Sequence, residues 1–130
     1  MAYEASQPLK LSLNAGADLS TKQYYFVKLD GSGNAVVCSG ATDNPIGILQ
    51  NKPTSGQPAE IVVVGVSKVS SDAGLAIGAQ IGTSSDGQAD AKTVSTDATE
   101  YVCGRVLTAT SNAAEIATVV INCAAPHRAA

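Results

Sequence analysis

The sequence predicts an all-β fold, a single small β-barrel or β-sandwich, and three observations carry that prediction. Apolar and polar residues alternate with period two through most of the chain, and helical periodicity is almost absent. Short β-prone runs are separated by clusters of Gly, Ser, Asn and Asp. At 130 residues one domain is the default, and a hydrophobic share of 45% is too high for a disordered chain.

Each element follows from local pattern. Leu9, Leu11 and Leu13 alternate with Lys10 and Ser12, which predicts a first strand with one apolar face. Tyr24 to Leu29 is rich in β-formers and ends at Asp30-Gly31, a turn dipeptide, so with Ala35 to Cys38 it reads as a hairpin. Tyr24 and Tyr25, adjacent in that strand, are expected to face opposite sides of the sheet. Ile46 to Gln50 makes a short strand after Asp43-Asn44-Pro45. Glu60 to Val69 is the longest β-prone segment; Val and Ile occupy both faces of its first half, and Gly65 marks a bulge or a close backbone approach. Ala79 to Thr83, Gln88 to Thr93, Tyr101 to Ala109 and Glu115 to Asn122 complete the strands.

An internal repeat accompanies these elements. Leu19, Asp30 and Gly31 recur as Leu75, Asp86 and Gly87. Ala41, Thr42 and Gly47 recur as Ala98, Thr99 and Gly104, and Ala59-Glu60-Ile61 recurs as Ala114-Glu115-Ile116. Two similar β-units forming one pseudo-symmetric domain is the expected consequence, because half the chain has too little apolar surface to fold alone. The expected organisation is an N-terminal arm over residues 1–8, one all-β domain over 9–123 and a C-terminal tail over 124–130.

Composition excludes several functions. A net charge of −3 with eight Lys and Arg scattered along the chain argues against a nucleic-acid partner. No apolar run approaches the length of a membrane-spanning helix, and the N-terminus lacks the basic start and apolar middle of a secretory signal. His127 is the single histidine and sits where chains usually fray, so no rigid Ser–His or Cys–His pair is expected. One histidine and no paired carboxylate motif leave no metal site, and Gly31-Ser32-Gly33 reads as a hairpin turn, not a nucleotide-binding loop. Asp97 and Glu100 lie in a polar loop whose simplest reading is solvation. Cys38, Cys103 and Cys123 are odd in number and widely spaced, so free buried thiols are expected. Neither catalytic residues nor cofactors are expected, and the protein reads as one that binds by surface.

Several features together resemble a known family: the Gly/Ala/Thr/Val-rich β-chain, the Leu9-Leu11-Leu13 strand, the Pro45-Ile46-Gly47-Ile48-Leu49 run, the Val-rich strand from Glu60, and the closing Pro126-His127-Arg128. The chain is similar to the capsid decoration, or cement, proteins of tailed bacteriophages. The resemblance implies a non-enzymatic protein, made in the host cytoplasm, that binds the outside of an assembled head. It also implies a homotrimer that bridges subunits of the major capsid protein, with no nucleic-acid or membrane partner. Some such relatives carry a recombinase label, which the missing phosphate loop and acidic balance leave unsupported; unlike many relatives, this chain has no Trp. The candidate capsid-binding arm comprises Ala2, Tyr3, Glu4, Ala5, Ser6, Gln7, Pro8 and Leu9, expected to be mobile in the free protein and ordered on the shell. A carbohydrate-binding β-sandwich module on a virion or cell surface is the alternative reading, weakened by the shortage of aromatic platforms at 4% aromatic residues.

Overall fold

The computed structural model describes residues 8–130, and it is all-β. The strands are β1 (Leu9–Asn14), β2 (Phe26–Leu29), β3 (Ala35–Val37), β4 (Gly47–Leu49), β5 (Pro58–Ser70), β6 (Gln80–Thr83), β7 (Ala89–Ala91), β8 (Tyr101–Val102), β9 (Gly104–Val106), β10 (Ile116–Asn122) and β11 (His127–Arg128). Nine of them make one antiparallel sheet in the order β3-β2-β4-β5-β10-β9-β6-β7, with β1 also on β5. The sheet curls into a half-barrel: parallel bridges tie Ala15 to Ala35 and Ser71 to Ala89, joining the ends of β1 and β5 to the starts of β3 and β7. Strands β8 and β11 pair separately.

The curled sheet is built twice. Strands β2 and β3 recur as β6 and β7 with the same lengths, 54 residues on (80 − 26). Strand β4 recurs as β9, and the 58–64 half of β5 recurs as β10. The remaining pair is the informative one: β1 has its counterpart in the second half of β5. Leu13 faces Ala59 as Val69 faces Ala117, and Lys10 faces Val62 as Val66 faces Val120. Backbone bonds outside the strands repeat as well. Leu19 N–H donates to Pro53 O and Leu75 N–H to Thr110 O; Leu49 N–H donates to Tyr25 O and Val106 N–H to Ala79 O. Thus β5 is the last strand of the first unit fused to the first strand of the second. Strands β10 and β1 together run antiparallel to its whole length, which relates the units by a pseudo-two-fold axis.

Backbone demands are matched between the units. A Cβ on Gly47 would lie 2.2 Å from Val62 O, and one on Gly104 would lie 2.2 Å from Val120 O, so both positions need glycine for the neighbouring strand to approach. Left-handed residues also pair: Gly33 with Gly87, Tyr24 with Gly78, and Gly56 with Ala114.

The structure shifts the register read from sequence. The Leu19/Leu75 and Gly47/Gly104 matches hold. Asp30-Gly31 does not match Asp86-Gly87, because Asp30 N–H bonds Asn34 O where Ser84 N–H bonds Gln88 O, so Gly33 is the partner of Gly87. Likewise Ala59 matches Ala117, not Ala114. Letter matches in a chain this rich in Ala and Gly slide by two or three residues; strand pairing does not. Tyr24 and Tyr25 lie in a turn ahead of β2, with Tyr24 at φ 67, and do not alternate in a strand. Leu9 and Leu11 of β1 are 54% and 37% exposed, so only Leu13 of that predicted apolar face reaches the core. The segment read as a C-terminal tail is part of the fold. His127–Arg128 pairs with β8, and Ala129 is buried, its backbone bonded to Ser95 and Glu100.

Candidate functional site

Of the arm predicted from sequence, residues 1–7 lie outside the described residues. Pro8 and Leu9 are described. Pro8 packs on Gly65, where a Cβ would come 2.8 Å from the proline Cβ, and Leu9 opens β1 opposite Val64. Gly65 adopts φ 135 at that crossing, a conformation that favours glycine.

The acidic loop has an internal use. Asp97 accepts the Thr93 N–H at 2.6 Å, and Glu100 meets Lys92 Nζ at 2.5 Å. The Lys92 side chain is fully buried and also donates to Thr83 O at 2.8 Å. In the first unit Asp43 performs both jobs: it accepts from Ser39 and Gly40 N–H and pairs Lys28 at 2.8 Å. Partial burial pushes the Asp43 carboxyl up, but the Lys28 and backbone hydrogen bonds outweigh it and hold the group below the usual carboxylate value. Among the described residues no His, Cys, Asp and Glu cluster suits a metal ion.

All three cysteines are free and buried. Burial is the main force pushing the Cys38 thiol up to about 12, against a hydrogen bond with Thr83. A hydrogen bond with Cys103, together with burial, pushes Cys123 up as well. Thiols held protonated in this way are poor nucleophiles. Spacing in sequence gave no sign that Cys103 and Cys123 meet.

The units differ most on one face of the sheet. In the first, Phe26, Ile48 and Val62 lie side by side across β2, β4 and β5, and all three are buried. Their counterparts Gln80, Arg105 and Val120 lie side by side across β6, β9 and β10, and Val66 extends the row. This second row is open: Val120 is 39% and Val66 56% exposed, and Arg105 is exposed. A cleft of about 350 Å³ lies over it, lined by Gln80, Cys103, Gly104, Arg105, Val120, Asn122 and His127 among others. Arg105 reaches only Gly78 O, at 3.5 Å, and makes no ion pair among the described residues. His127 and Cys103 share the cleft, but no hydrogen bond joins them, and the thiol is engaged with Cys123. The cleft was missed in the sequence. The available signal was the repeat in its correct register, which sets Gln80 and Arg105 where Phe26 and Ile48 stand.

No family model matches the sequence, and no curated protein matches it. Among solved structures, the fold is similar to the head fiber gp8.5 N base in bacteriophage phi29, with a TM-score of 0.67 and 14% identity over 90% of this chain and 96% of that one. At this identity the likeness establishes a shared fold.

Proposed function

We propose that this protein is a structural component of a bacteriophage virion that sits on the outside of the assembled head and ties neighbouring capsid subunits together. The observation that carries the reading is the fold match to a head fiber base over nearly the full length of both chains. The molecule's own chemistry agrees with it: its thiols are buried, and one face of its sheet stands open. Work of this kind needs surface complementarity, and a homotrimer multiplies weak contacts by raising the effective concentration of the second and third. The partner would be the major capsid protein. Residues 1–7, which span about 23–25 Å when extended, give one subunit the reach to engage the next.

The test is co-sedimentation with undecorated heads. Purified protein should bind them and not bind a glycan array; binding to glycans and not to heads would favour the carbohydrate-binding alternative. Removing Met1 to Gln7 should leave the melting temperature nearly unchanged and weaken head binding about tenfold, or roughly 1.4 kcal/mol per arm. Unchanged affinity after that removal would take the arm out of the contact.

A further inference from the structure

We propose that Cys103 and Cys123 are an oxidation-formed disulfide site, a covalent latch that fastens the end of β10 to the junction of β8 and β9. Both thiols are free in this structure, and the latch closes when a small-molecule disulfide takes up their electrons.

Backbone pairing brings the two residues together. Ile121 pairs with Gly104, and the Asn122 N–H donates to Cys103 O at 2.8 Å, so Cys123 lies one residue past the partner of Cys103. Ladder spacing then sets their Cα atoms about 6 Å apart, inside the roughly 4.4–6.8 Å that a disulfide spans. Regular alternation would turn the two side chains to opposite faces, but the ladder stops here: β9 begins at Gly104 and β10 ends at Asn122. Both side chains enter the same core cluster, at 3% and 4% exposure, and their thiols hydrogen-bond. Each backbone is also held by a further strand. Cys103 N–H donates to Ile81 O at 2.8 Å, and Cys123 N–H donates to Val63 O at 2.9 Å. Closing the bond asks for side-chain rotation within a fixed frame.

Packing alone does not call for sulfur at this place. In the first unit Ile46 precedes Gly47 as Cys103 precedes Gly104, and Gly65 follows Val64 as Cys123 follows Asn122. One aliphatic side chain and a glycine serve there. The third thiol, Cys38, lies near the other two but hydrogen-bonds Thr83, which makes it an internal control. The bond would sit at the root of the small second sheet. Strand β8 ends one residue before Cys103, and β11 starts four residues after Cys123 (127 − 123).

The step is a thiol–disulfide exchange. Cys103 lines the cleft and meets the oxidant first: its thiolate attacks one sulfur and expels a small thiolate. Cys123 then gives up its proton, attacks the mixed disulfide and expels the second. The protein thiols lose two electrons and two protons, and the oxidant is reduced to two thiols. Its hydrogen bond with Cys103 and burial hold Cys123 protonated, so closure takes minutes to hours. A cytoplasm keeps such a pair reduced, and the medium outside it does not. Only the moment of closure, on release of a virion, rests on the reading above.

Peptide mapping of the full chain is the test. Folded protein is held with excess glutathione disulfide at mildly alkaline pH, then denatured, alkylated and cut with trypsin. Cleavage after Lys92, Arg105 and Arg128 places Cys103 and Cys123 on separate peptides. After oxidation these should run as one linked mass, two hydrogens lighter than their sum and separable by reduction, with Cys38 alkylated. The melting temperature should rise by about 5–10 °C on oxidation, a rise that Cys38→Ala keeps and Cys123→Ala loses. The wild-type map decides the matter even where a variant does not fold. Three alkylated cysteines after oxidation, a link to Cys38, links between chains, or a linked protein that melts no higher would each overturn the proposal. Failure to bind heads would remove the virion reading and leave the disulfide site standing.

Discussion

Phe26, Ile48 and Val62 in the first unit and Gln80, Arg105 and Val120 in the second occupy matching backbone positions, yet the first three are buried, whereas Arg105 and Val120 are exposed and Gln80 is half-buried. The loops below them differ in a related way. Asp43 alone caps its loop and pairs a partly exposed Lys28, whereas Asp97 and Glu100 divide those jobs, and Glu100 serves a Lys92 side chain with no exposure. What the units share includes backbone requirements: glycines at the matching crossings Gly47 and Gly104, and three matched pairs of left-handed residues. What they do not share is side-chain chemistry on the face that one unit covers and the other leaves free. A duplicated sheet thus carries a buried apolar row in one unit and an open row at the matching positions of the other.

The sharpest way to break this comparison is at its most equivalent positions. Gly47→Ala and Gly104→Ala should each cost upward of about 3 kcal/mol, because in both a new methyl meets a backbone carbonyl that is locked in a strand. Urea unfolding would measure both, and tolerance of either would show that the two strand crossings are not equally tight.

Next in size is the contrast between the ion pairs. Glu100→Gln leaves the buried Lys92 ammonium with Asp90, at 3.4 Å, as its remaining carboxylate and should cost about 2 kcal/mol. Asp43→Asn, at a pair that water partly reaches, should cost about 1 kcal/mol. Because folding depresses the Asp43 value, its contribution is complete at neutral pH. It disappears as the pH falls from the ordinary 3.8 through the lower folded value. Thermal melts of wild type and Asp43→Asn should therefore converge in acid; a constant gap would mean that the carboxylate's charge is not what holds the loop.

The smallest effect sharpens the match between turns. Ala114 holds φ 64 where the first unit has Gly56 at φ 82. Ala114→Gly should stabilise by about 0.5 kcal/mol, since relief of left-handed strain exceeds the added freedom of the unfolded chain, and Gly56→Ala should cost about 1 kcal/mol. Calorimetry showing the same sign for both would contradict the pairing of these turns.

The β class, the positions of most strands, the two-unit construction and the burial of the thiols were legible in the sequence, because each depends on local alternation, turn residues or the polarity of single side chains. The double burial of the first half of β5 was legible in the same way, as Val and Ile on both faces. Other properties waited for the tertiary structure. The register of the repeat slid because identical small residues carry little information, whereas hydrogen-bonded partners are discrete. Tyr24 and Tyr25 look like strand residues by composition, but contacts outside their own segment fix Tyr24 at positive φ: its N–H bonds Leu49 O and its O accepts from Ser70 N–H. The last residues, polar and terminal, gave no local reason to pair, and only β8 made a strand of His127–Arg128. The cleft is the extreme case, since Arg105 is an ordinary charged residue in sequence. It lines a cleft only because β6, β9 and β10 bring Gln80, Arg105 and Val120 side by side from distant parts of the chain. Local chemistry decides which segments are strands; which face of the finished sheet is left uncovered is a property of the whole chain's closure.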